Sequence, residues 1–194
     1  MYCGTVSPAG ALELYDGALR FRDAVGEIVA DQVQAADYAD YIGEATMSDS
    51  YLKAPFYKPL GLAEGTYRVG PLARVNACDF IDTPEAEEAR KEFKGINGGK
   101  PVQVTMAYHW ARLIETLHCA EAIAELLDDP DLMGKDLRTK GEMQHIGTGV
   151  IEAPRGTLFH HYEIDDDGLV TKASLIVSTT NNNQAMNESI RKGA

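Results

Sequence analysis

The sequence predicts an α+β fold in which small antiparallel sheets and hairpins pack against one long helix and shorter helices. Two observations support this prediction. Strand-like segments surround turn signals near both ends of the chain, at Asp16-Gly17 and at residues 165–168. Between them, apolar residues recur at steps of three and four from residue 107 to residue 127. The helices are therefore expected in the middle of the chain and the strands towards its ends.

Residues 1–36 predict an antiparallel β-meander. Two strands, at residues 12–15 and 18–22, flank Asp16-Gly17, and residues 27–30 continue the extended pattern. An Asp-Gly pair supplies the positive φ that a tight hairpin turn requires. We therefore expect three strands that form a small sheet with one buried face.

Residues 37–82 are predicted to hold a short helix and a loop. Two tyrosines and an isoleucine lie at helical spacing within residues 37–45. Residues 51–74 contain three prolines, each of which removes a backbone donor and restricts the preceding residue to extended geometry. The same segment is rich in aromatic and apolar residues, so we expect a loop without regular elements that packs against other parts of the chain.

Residues 83–130 predict two helices. The first begins with Thr83 as the N-cap and Pro84 at the first helical position, and it ends at Gly95. The second is long and amphipathic, and it stops before Pro130 because proline clashes with the carbonyl four residues earlier. Its predicted apolar stripe comprises Ala107, Trp110, Ile114, Leu117, Ala120, Ala124 and Leu127.

Residues 148–180 predict a second hairpin, in which extended runs at 158–164 and 169–177 flank an aspartate-rich turn. Three consecutive asparagines at 181–183 are typical of a helix N-cap and predict a last helix from about residue 184. No internal repeat is present, and the whole chain is interpreted as one segment, residues 1–194.

Composition and charge exclude several classes of partner. The chain has 194 residues, with 18 Lys and Arg against 30 Asp and Glu, which gives a formal charge of −12. Such a surface repels nucleic acid and anionic membranes. No apolar run approaches the ~18 residues that span a bilayer. Because the first residues lack the pattern of a secretion signal, we expect a cytoplasmic protein.

Cysteines and glycines do not form a recognisable cofactor motif. Cys3, Cys78 and Cys119 are scattered without a Cys-x-x-Cys pair, which predicts reduced thiols and neither a disulfide framework nor a zinc site. Residues 147–152 lack the third small residue of a dinucleotide fingerprint, and residues 95–100 lack the Ser or Thr of a phosphate loop. Both glycine clusters are interpreted as turns.

Among the histidines and arginines, one residue is a candidate for function. His160 and His161 are neighbours in a predicted strand and point to opposite faces, so they are not expected to bind one metal ion together. Arg155 lies between a proline and a glycine on a stiff, non-repetitive backbone, where its guanidinium fork suits an anionic or dipolar ligand. The residues alone leave open that Arg155 is a solvated side chain in a connecting loop.

Taken together, these segments resemble the large subunit of nickel-iron hydrogenases, most closely the soluble NAD-reducing type. The run Glu152-Ala-Pro-Arg-Gly156 belongs to the most informative of the matching stretches. The stretches occur in the family's order and are residues 15–20, 26–31, 50–53, 57–61, 67–74, 126–131, 152–162 and 175–180.

In that family, two Cys-x-x-Cys pairs near the ends of the subunit hold the metals, and neither pair is present in this sequence. Soft thiolates are the ligands that such a centre requires. The resemblance therefore implies that this chain is a central piece of a longer subunit. The full-length subunit would carry a nickel-iron centre with cyanide and carbon monoxide ligands and a magnesium ion, whereas no cofactor is expected to bind this piece.

The resemblance also assigns roles to individual residues. It places Arg155 above the open coordination site, with Pro154 before it, as the catalytic candidate. It gives Thr179, with its neighbour Ser178, a hydrogen bond to an iron-bound cyanide, on the strand that returns from the second hairpin. The backbone carbonyl of Leu175 would bind magnesium. A guanidinium and a hydroxyl are suitable donors to a cyanide nitrogen.

The family reaction is the heterolytic splitting or formation of dihydrogen. Electrons pass to NAD through a small subunit with iron-sulfur clusters and through diaphorase subunits that carry flavin. NAD would therefore bind another chain, in agreement with the missing dinucleotide fingerprint. Whether Arg155 acts as a base or only orients ligands stays open, because a guanidinium holds its proton strongly.

Two alternatives accompany this interpretation. The segment is either part of a catalytic subunit or a structural and interaction module whose apolar surfaces dock other parts or a second copy of itself. A related hydrogenase with another acceptor, such as a deazaflavin, is a further alternative. Convergence of Pro154, Arg155 and Thr179 on one concave surface would favour the catalytic interpretation.

Overall fold

The structure is a computed structural model that describes residues 1–193. It confirms the α+β class: three small antiparallel sheets lie beside six helices in this part of the chain. No helix within residues 1–193 combines the length and the apolar character that crossing a membrane requires. The strands are β1 (Tyr2–Val6), β2 (Ala18–Arg22), β3 (Ile28–Val33), β4 (Ile42–Ala45), β5 (Ala54–Tyr57), β6 (Ile146–Ala153), β7 (Gly156–Ile164) and β8 (Val170–Ile176). The helices are α1 (Tyr38–Tyr41), α2 (Gly61–Glu64), α3 (Pro71–Ala77), α4 (Pro84–Gly95), α5 (Ala107–Leu127) and α6 (Ser178–Gly193).

The first sheet has the order β1-β2-β3, and its first strand lies outside the predicted one. The prediction of a strand at residues 12–15 was wrong, because β1 is the antiparallel partner of β2, with Tyr2 opposite Arg22 and Val6 opposite Ala18. All five residues of β1 are buried. A strand that is buried on both faces has no polar and apolar alternation, so the sequence pattern gave no sign of it.

The segment from residue 37 to residue 74 contains more regular structure than predicted. Only α1 is helical in the predicted helix at 37–45, and β4 follows it and pairs with β5. The prediction of a loop without regular elements at 51–74 was also wrong, since β5, α2 and the start of α3 lie within it. Pro71 occupies the first turn of α3, a position where a proline lacks no hydrogen bond.

The bounds of α4 and α5 confirm the two predicted helices, and the two helices cap each other. The Glu121 carboxylate of α5 accepts hydrogen bonds from the backbone N–H groups of Glu85 at 3.0 Å and Ala86 at 2.9 Å. The Thr83 hydroxyl is not the cap and instead pairs with Nδ1 of His118 at 2.9 Å. The first turn of α4 is therefore completed by a side chain from α5.

The predicted apolar stripe of α5 is buried only in the N-terminal half of the helix. Ala107, Ala111 and Ile114 are buried, whereas Ile123 is 58% and Leu127 is 64% exposed. The prediction that the stripe is buried along its full length was therefore wrong. The C-terminal half of α5 has no apolar packing partner within residues 1–193.

Two apolar cores hold the elements together. One joins α3, α4 and α5, where Phe93 packs edge-to-face on Trp110 with ring centroids 5.4 Å apart. The other joins the first sheet to the third, and Phe159 of β7 is fully buried in it. Because the cores lie on either side of β1 and α3, these two elements fix the third sheet relative to the helices.

Candidate functional site

The connection between β6 and β7 is a two-residue turn formed by Pro154 and Arg155. The strand register places Ala153 directly opposite Gly156, and Gly156 has a φ of 137°. Pro154 and Arg155 are both exposed. Within residues 1–193, the Arg155 guanidinium has no hydrogen-bond or ion-pair partner. The predicted stiff corner is present, and its arginine is available to a ligand or to another part of a longer protein.

This corner, residues 153–156, lies against the backbone that begins α3. A Cβ on Gly156 would lie 2.2 Å from Cγ2 of Val69 and 2.9 Å from the backbone nitrogen of Gly70. A Cβ on Gly70, whose φ is 95°, would lie 2.9 Å from the carbonyl oxygen of Arg155. The two chain segments are therefore in direct backbone contact, which only glycine allows at both positions.

A buried ion network joins the same corner to α3 and α5. The Arg74 guanidinium donates from Nε and Nη2 to the two carboxylate oxygens of Glu115 at 2.6 and 2.7 Å. Its Nη1 donates to the Glu152 carboxylate at 2.6 Å and to the Ala153 carbonyl at 3.0 Å. These charge-assisted bonds fix the end of β6 immediately before the turn.

The Glu152 carboxylate is fully buried and joins β1 to the network. Its Oε1 accepts hydrogen bonds from the Thr5 backbone N–H at 3.0 Å and the Thr157 hydroxyl at 2.9 Å. Burial, and to a lesser extent the second carboxylate on the same arginine, raises the pKa of Glu152 above its ordinary value despite the Arg74 charge. Burial alone would lower the pKa of Arg74, but its hydrogen bonds to Glu115 and the charges of both carboxylates raise it. The arginine therefore stays protonated.

A cleft of about 420 Å³ opens beside this network. Pro154 lines it together with Arg74, Glu115 and Cys119, whereas Arg155 and Thr179 are not among its lining residues. Of the three residues expected on one concave surface, only Pro154 therefore contributes to this cleft.

The start of α6 lies at the same end of the third sheet as the corner. The Asn181 side chain donates to the Thr157 carbonyl at 3.1 Å, next to the first residue of β7. Ser178 is buried and Thr179 is exposed. Two expectations were wrong here: Ser178 and Thr179 begin a helix and are not part of a strand, and α6 begins before residue 181.

The asparagines of α6 bind other segments of the chain. Besides its bond to Thr157, Asn181 accepts a hydrogen bond from the buried Tyr67 hydroxyl, and Asn182 accepts one from the Val69 backbone N–H at 2.9 Å. The prediction that these residues cap the helix was therefore wrong. Their side chains instead attach the start of α6 to the segment that contacts the corner.

The other candidate residues of the third sheet are dispersed. Leu175 lies in β8 opposite His160 and is 46% exposed. His160 pairs with the Tyr162 hydroxyl at 3.0 Å, and His161 pairs with the Thr148 hydroxyl at 2.9 Å. The prediction that the two histidines do not act as a pair is confirmed by their separate partners.

The cysteines of the described chain are not arranged as metal ligands. Burial raises the pKa of the Cys3 thiol and raises that of Cys78 to about 12, so both thiols hold their protons. Residues 1–193 contain no cluster of three or more His, Cys, Asp or Glu side chains that could hold a metal ion. The thiolate set that nickel requires does not come from these residues.

The three members of the ion network were not predicted from the sequence. Arg74 lies in a helix whose seven residues are all buried, and Glu115 follows the buried Ile114 on α5. A charged residue within an apolar run is the signal that could have revealed them, because a buried charge requires a partner.

The fold, the polar corner and the buried network define a segment of a metalloenzyme subunit. The family profile described as nickel-dependent hydrogenase matches residues 18–194. The chain therefore belongs to the nickel-dependent hydrogenase family, as the resemblance predicted.

Individual relatives are more specific. A subunit of the vhu-type F420-non-reducing hydrogenase of Methanococcus voltae is 46% identical over 194 residues, which is 100% of this chain and 46% of that protein. The beta subunit of the NAD-reducing hydrogenase HoxS of Cupriavidus necator is 43% identical over 190 residues, which covers 94% of this chain and 38% of that protein.

A solved structure agrees with the fold. The crystal structure of an NAD+-reducing nickel-iron hydrogenase in the H2-reduced state superposes with a TM-score of 0.93 at 50% identity, covering 97% of this chain and 42% of that one. The chain thus spans less than half the length of these relatives.

Gly156→Ala is expected to reduce the free energy of unfolding by about 2–4 kcal/mol, because a Cβ would overlap Val69 at a positive φ. Gly147→Ala is the matched control in β6, since its Cβ would enter open space and change stability by at most about 1 kcal/mol. Urea unfolding followed by Trp110 fluorescence measures both. Equal stability of the two variants would contradict the backbone contact described above.

Glu152→Gln is expected to change how stability depends on pH. Because the folded-state pKa of Glu152 is raised, its contribution is fully present below the ordinary glutamate value of about 4.3 and is lost as pH rises through the raised value. The difference in unfolding free energy, wild type minus Glu152→Gln, should therefore fall as pH rises through this window. Urea titrations at a series of pH values measure it.

Glu163→Gln is the control with the opposite sign. The hydrogen bond from Lys172 lowers the pKa of Glu163, so its contribution is present above the ordinary value and is lost as pH falls through the lowered one. A wild-type-minus-variant difference for Glu152→Gln that rises with pH would show that the Arg74 charge outweighs burial.

Proposed function

We propose that this chain is part of the catalytic subunit of a nickel-iron hydrogenase, which oxidises or evolves dihydrogen. In this proposal, Pro154 and Arg155 at the corner and Ser178 and Thr179 at the start of α6 form one wall of the site that faces the metals. The observation that carries it is the placement of both pairs at one end of the third sheet, with the Arg155 guanidinium unpaired within residues 1–193.

The residues of this chain would act on the surroundings of the metal centre. A nickel-iron centre, bound in the full-length subunit through thiolates from outside this segment, supplies the site at which dihydrogen is split. The Arg155 guanidinium offers planar, permanently charged donors to anionic groups such as a cyanide nitrogen. The exposed Thr179 hydroxyl, with its neighbour Ser178, offers a further donor from the start of α6.

Arg155 is assigned to orientation and electrostatic stabilisation. A guanidinium keeps its proton under all conditions in which proteins are folded, so it is poorly suited to accept one. Its value lies in a fixed position, because preorganised donors stabilise developing charge without reorganisation. That position depends on the contact of Gly156 with Val69 and Gly70 and on the Arg74 bond to Ala153.

The remaining cofactor and location assignments are further parts of the proposal. The Leu175 carbonyl would serve as a ligand of a magnesium ion in the full-length subunit, and the nickel-iron centre would carry cyanide and carbon monoxide. Oxygen ligands are the type that magnesium prefers. A cytoplasmic location and the division of the chain as one central segment stay predictions.

For the electron acceptor, we favour NAD, reached through a small subunit with iron-sulfur clusters and diaphorase subunits with flavin. The similarity to NAD-reducing hydrogenases at 43% and 50% identity supports it. Relatives described as F420-non-reducing are similarly close, at 46% identity. An acceptor other than NAD, such as a deazaflavin, is therefore the alternative within the same reaction class.

A second candidate function is a structural and interaction module. It is favoured by the exposed apolar side chains of α5, including Leu126 at 61% and Leu127 at 64% exposure. Such a surface is typical of contact with another part of a longer protein or with a second copy. The two candidates differ in whether Arg155 affects the reaction rate.

Arg155→Lys, in a full-length subunit that contains this segment, is expected to lower the rate of dihydrogen-dependent dye reduction by about 100-fold, as loss of a preorganised donor does. An ammonium cannot reproduce the planar fork. Arg138→Lys, at an exposed position in the loop before β6, is the matched control and should leave the rate unchanged. A near-normal rate for Arg155→Lys, with nickel content equal to wild type, would favour the interaction module.

The isolated chain, residues 1–194, is expected to show no turnover with dihydrogen and a viologen dye and no stoichiometric nickel by elemental analysis. The reason is the lack of a thiolate cluster among residues 1–193. Measurable turnover, or nickel bound in a one-to-one ratio, would overturn the proposal that the metal ligands lie outside this segment.

A further inference from the structure

A cavity of about 370 Å³ lies between the end of β2 and the C-terminal half of α4. None of its lining residues belongs to the corner at residues 153–156 or to the start of α6. Cationic side chains dominate its wall, with Asp79 as the single carboxylate among the lining residues. The cations are Arg22, Arg90, Lys91 and Lys94.

Arg22 presents an unused donor at this cavity. Its side chain is only 13% exposed, and Nη2 donates to the Asp79 carboxylate at 2.6 Å. The Nε–H is buried and has no hydrogen-bond partner within residues 1–193, where it is the single side-chain atom of this kind. A buried donor without an acceptor is costly, so it indicates a partner that is absent from the chain itself.

Asp79 does not neutralise the cluster. Its second carboxylate oxygen accepts from Arg20 Nη1 at 2.7 Å, so one negative charge is shared by two guanidinium groups. Of the remaining cations, Arg90 pairs with Glu87 at 2.7 Å and Lys91 pairs with Glu88 at 2.7 Å. The cavity therefore keeps an excess of positive charge in a chain whose formal charge is −12.

Lys94 is the cation that lacks a carboxylate. Its ammonium makes no ion pair within residues 1–193 and is half-buried at the end of α4. Burial, followed by the charges of Arg22 and Arg90, lowers the pKa of Lys94 to about 8, although Cys78 and Asp79 act in the opposite direction. This amine is held near other cations without a counter-charge, which is unfavourable unless an anion enters the cavity.

We propose that this cavity binds a phosphate-type oxyanion, held by Arg22 Nε, the Lys94 ammonium and the outer donors of Arg90 and Lys91. These donors come from β2 and from successive turns of α4, so they approach from different directions. A tetrahedral anion with several acceptor oxygens matches such a set. A carboxylate matches it less well, because the paired Nε and Nη fork that carboxylates prefer is interrupted by Asp79 on Arg22.

The test follows the arginine Nε–H resonances of the 194-residue chain by ¹H–¹⁵N NMR during titration with inorganic phosphate. Titration with pyrophosphate asks whether the room in the cavity accepts a larger phosphate compound, which should bind more tightly. Chloride at matched ionic strength and acetate are the comparison anions. A saturable shift of the Arg22 Nε–H signal with phosphate, larger than with chloride or acetate, is the expected result.

Lys94→Gln should weaken phosphate binding about tenfold, the loss typical of one charge-assisted hydrogen bond. Lys94→Arg, which keeps the charge, should retain most of the affinity. Lys135→Gln, at an exposed position in the loop after α5, is the matched control and should bind as the wild type does.

Three outcomes would overturn the proposal. The first is no saturable shift with phosphate or pyrophosphate. The second is equal binding by Lys94→Gln and the wild type. The third is acetate binding more tightly than phosphate, which would identify the cavity as a docking point for a carboxylate side chain of another protein segment.

Discussion

The interaction on which the candidate site depends is the pairing of one buried arginine with two buried carboxylates. Arg74 belongs to α3, Glu115 to α5 and Glu152 to β6, and Glu152 also accepts the Thr5 N–H of β1. Removing one partner of such a network leaves an uncompensated charge and typically costs about 3–5 kcal/mol. That is a large part of the total stability of a domain, about 5–15 kcal/mol. The helical core, the first sheet and the polar corner are thus held in one arrangement by a single guanidinium.

Local signals were sufficient for the elements whose residues are not dominated by distant contacts. The bounds of α4 and α5 follow from a proline, a glycine and an apolar period, and β2, β7 and β8 follow from alternating strands and turns. The failures have distant causes. β1 is buried on both faces and shows no alternation, and the asparagines of α6 bind Tyr67, Thr157 and Val69 in place of the helix end.

The site shows the same division. Arg155 was found because a proline, an arginine and a glycine in succession indicate a tight corner, and such a corner is a local property. The ion network was missed because its partners are 41 and 78 residues apart, a separation that no local pattern bridges. The catalytic and cofactor roles of Pro154, Arg155, Ser178, Thr179 and Leu175 came from family resemblance alone. They stay predictions, because spacing does not reveal which chemistry an exposed side chain faces.

The mutual capping of α4 and α5 has a consequence for how the chain folds. The first turn of α4 obtains its acceptors from Glu121, so α4 cannot complete its hydrogen bonds until α5 is formed and docked. Segments that satisfy each other in this way open as one cooperative unit rather than fraying separately. The amide protons at the start of α4 are thereby shielded from solvent by a neighbour reached across a loop. Their exchange rates report the integrity of the helix pair and not the local helix propensity of residues 84–87.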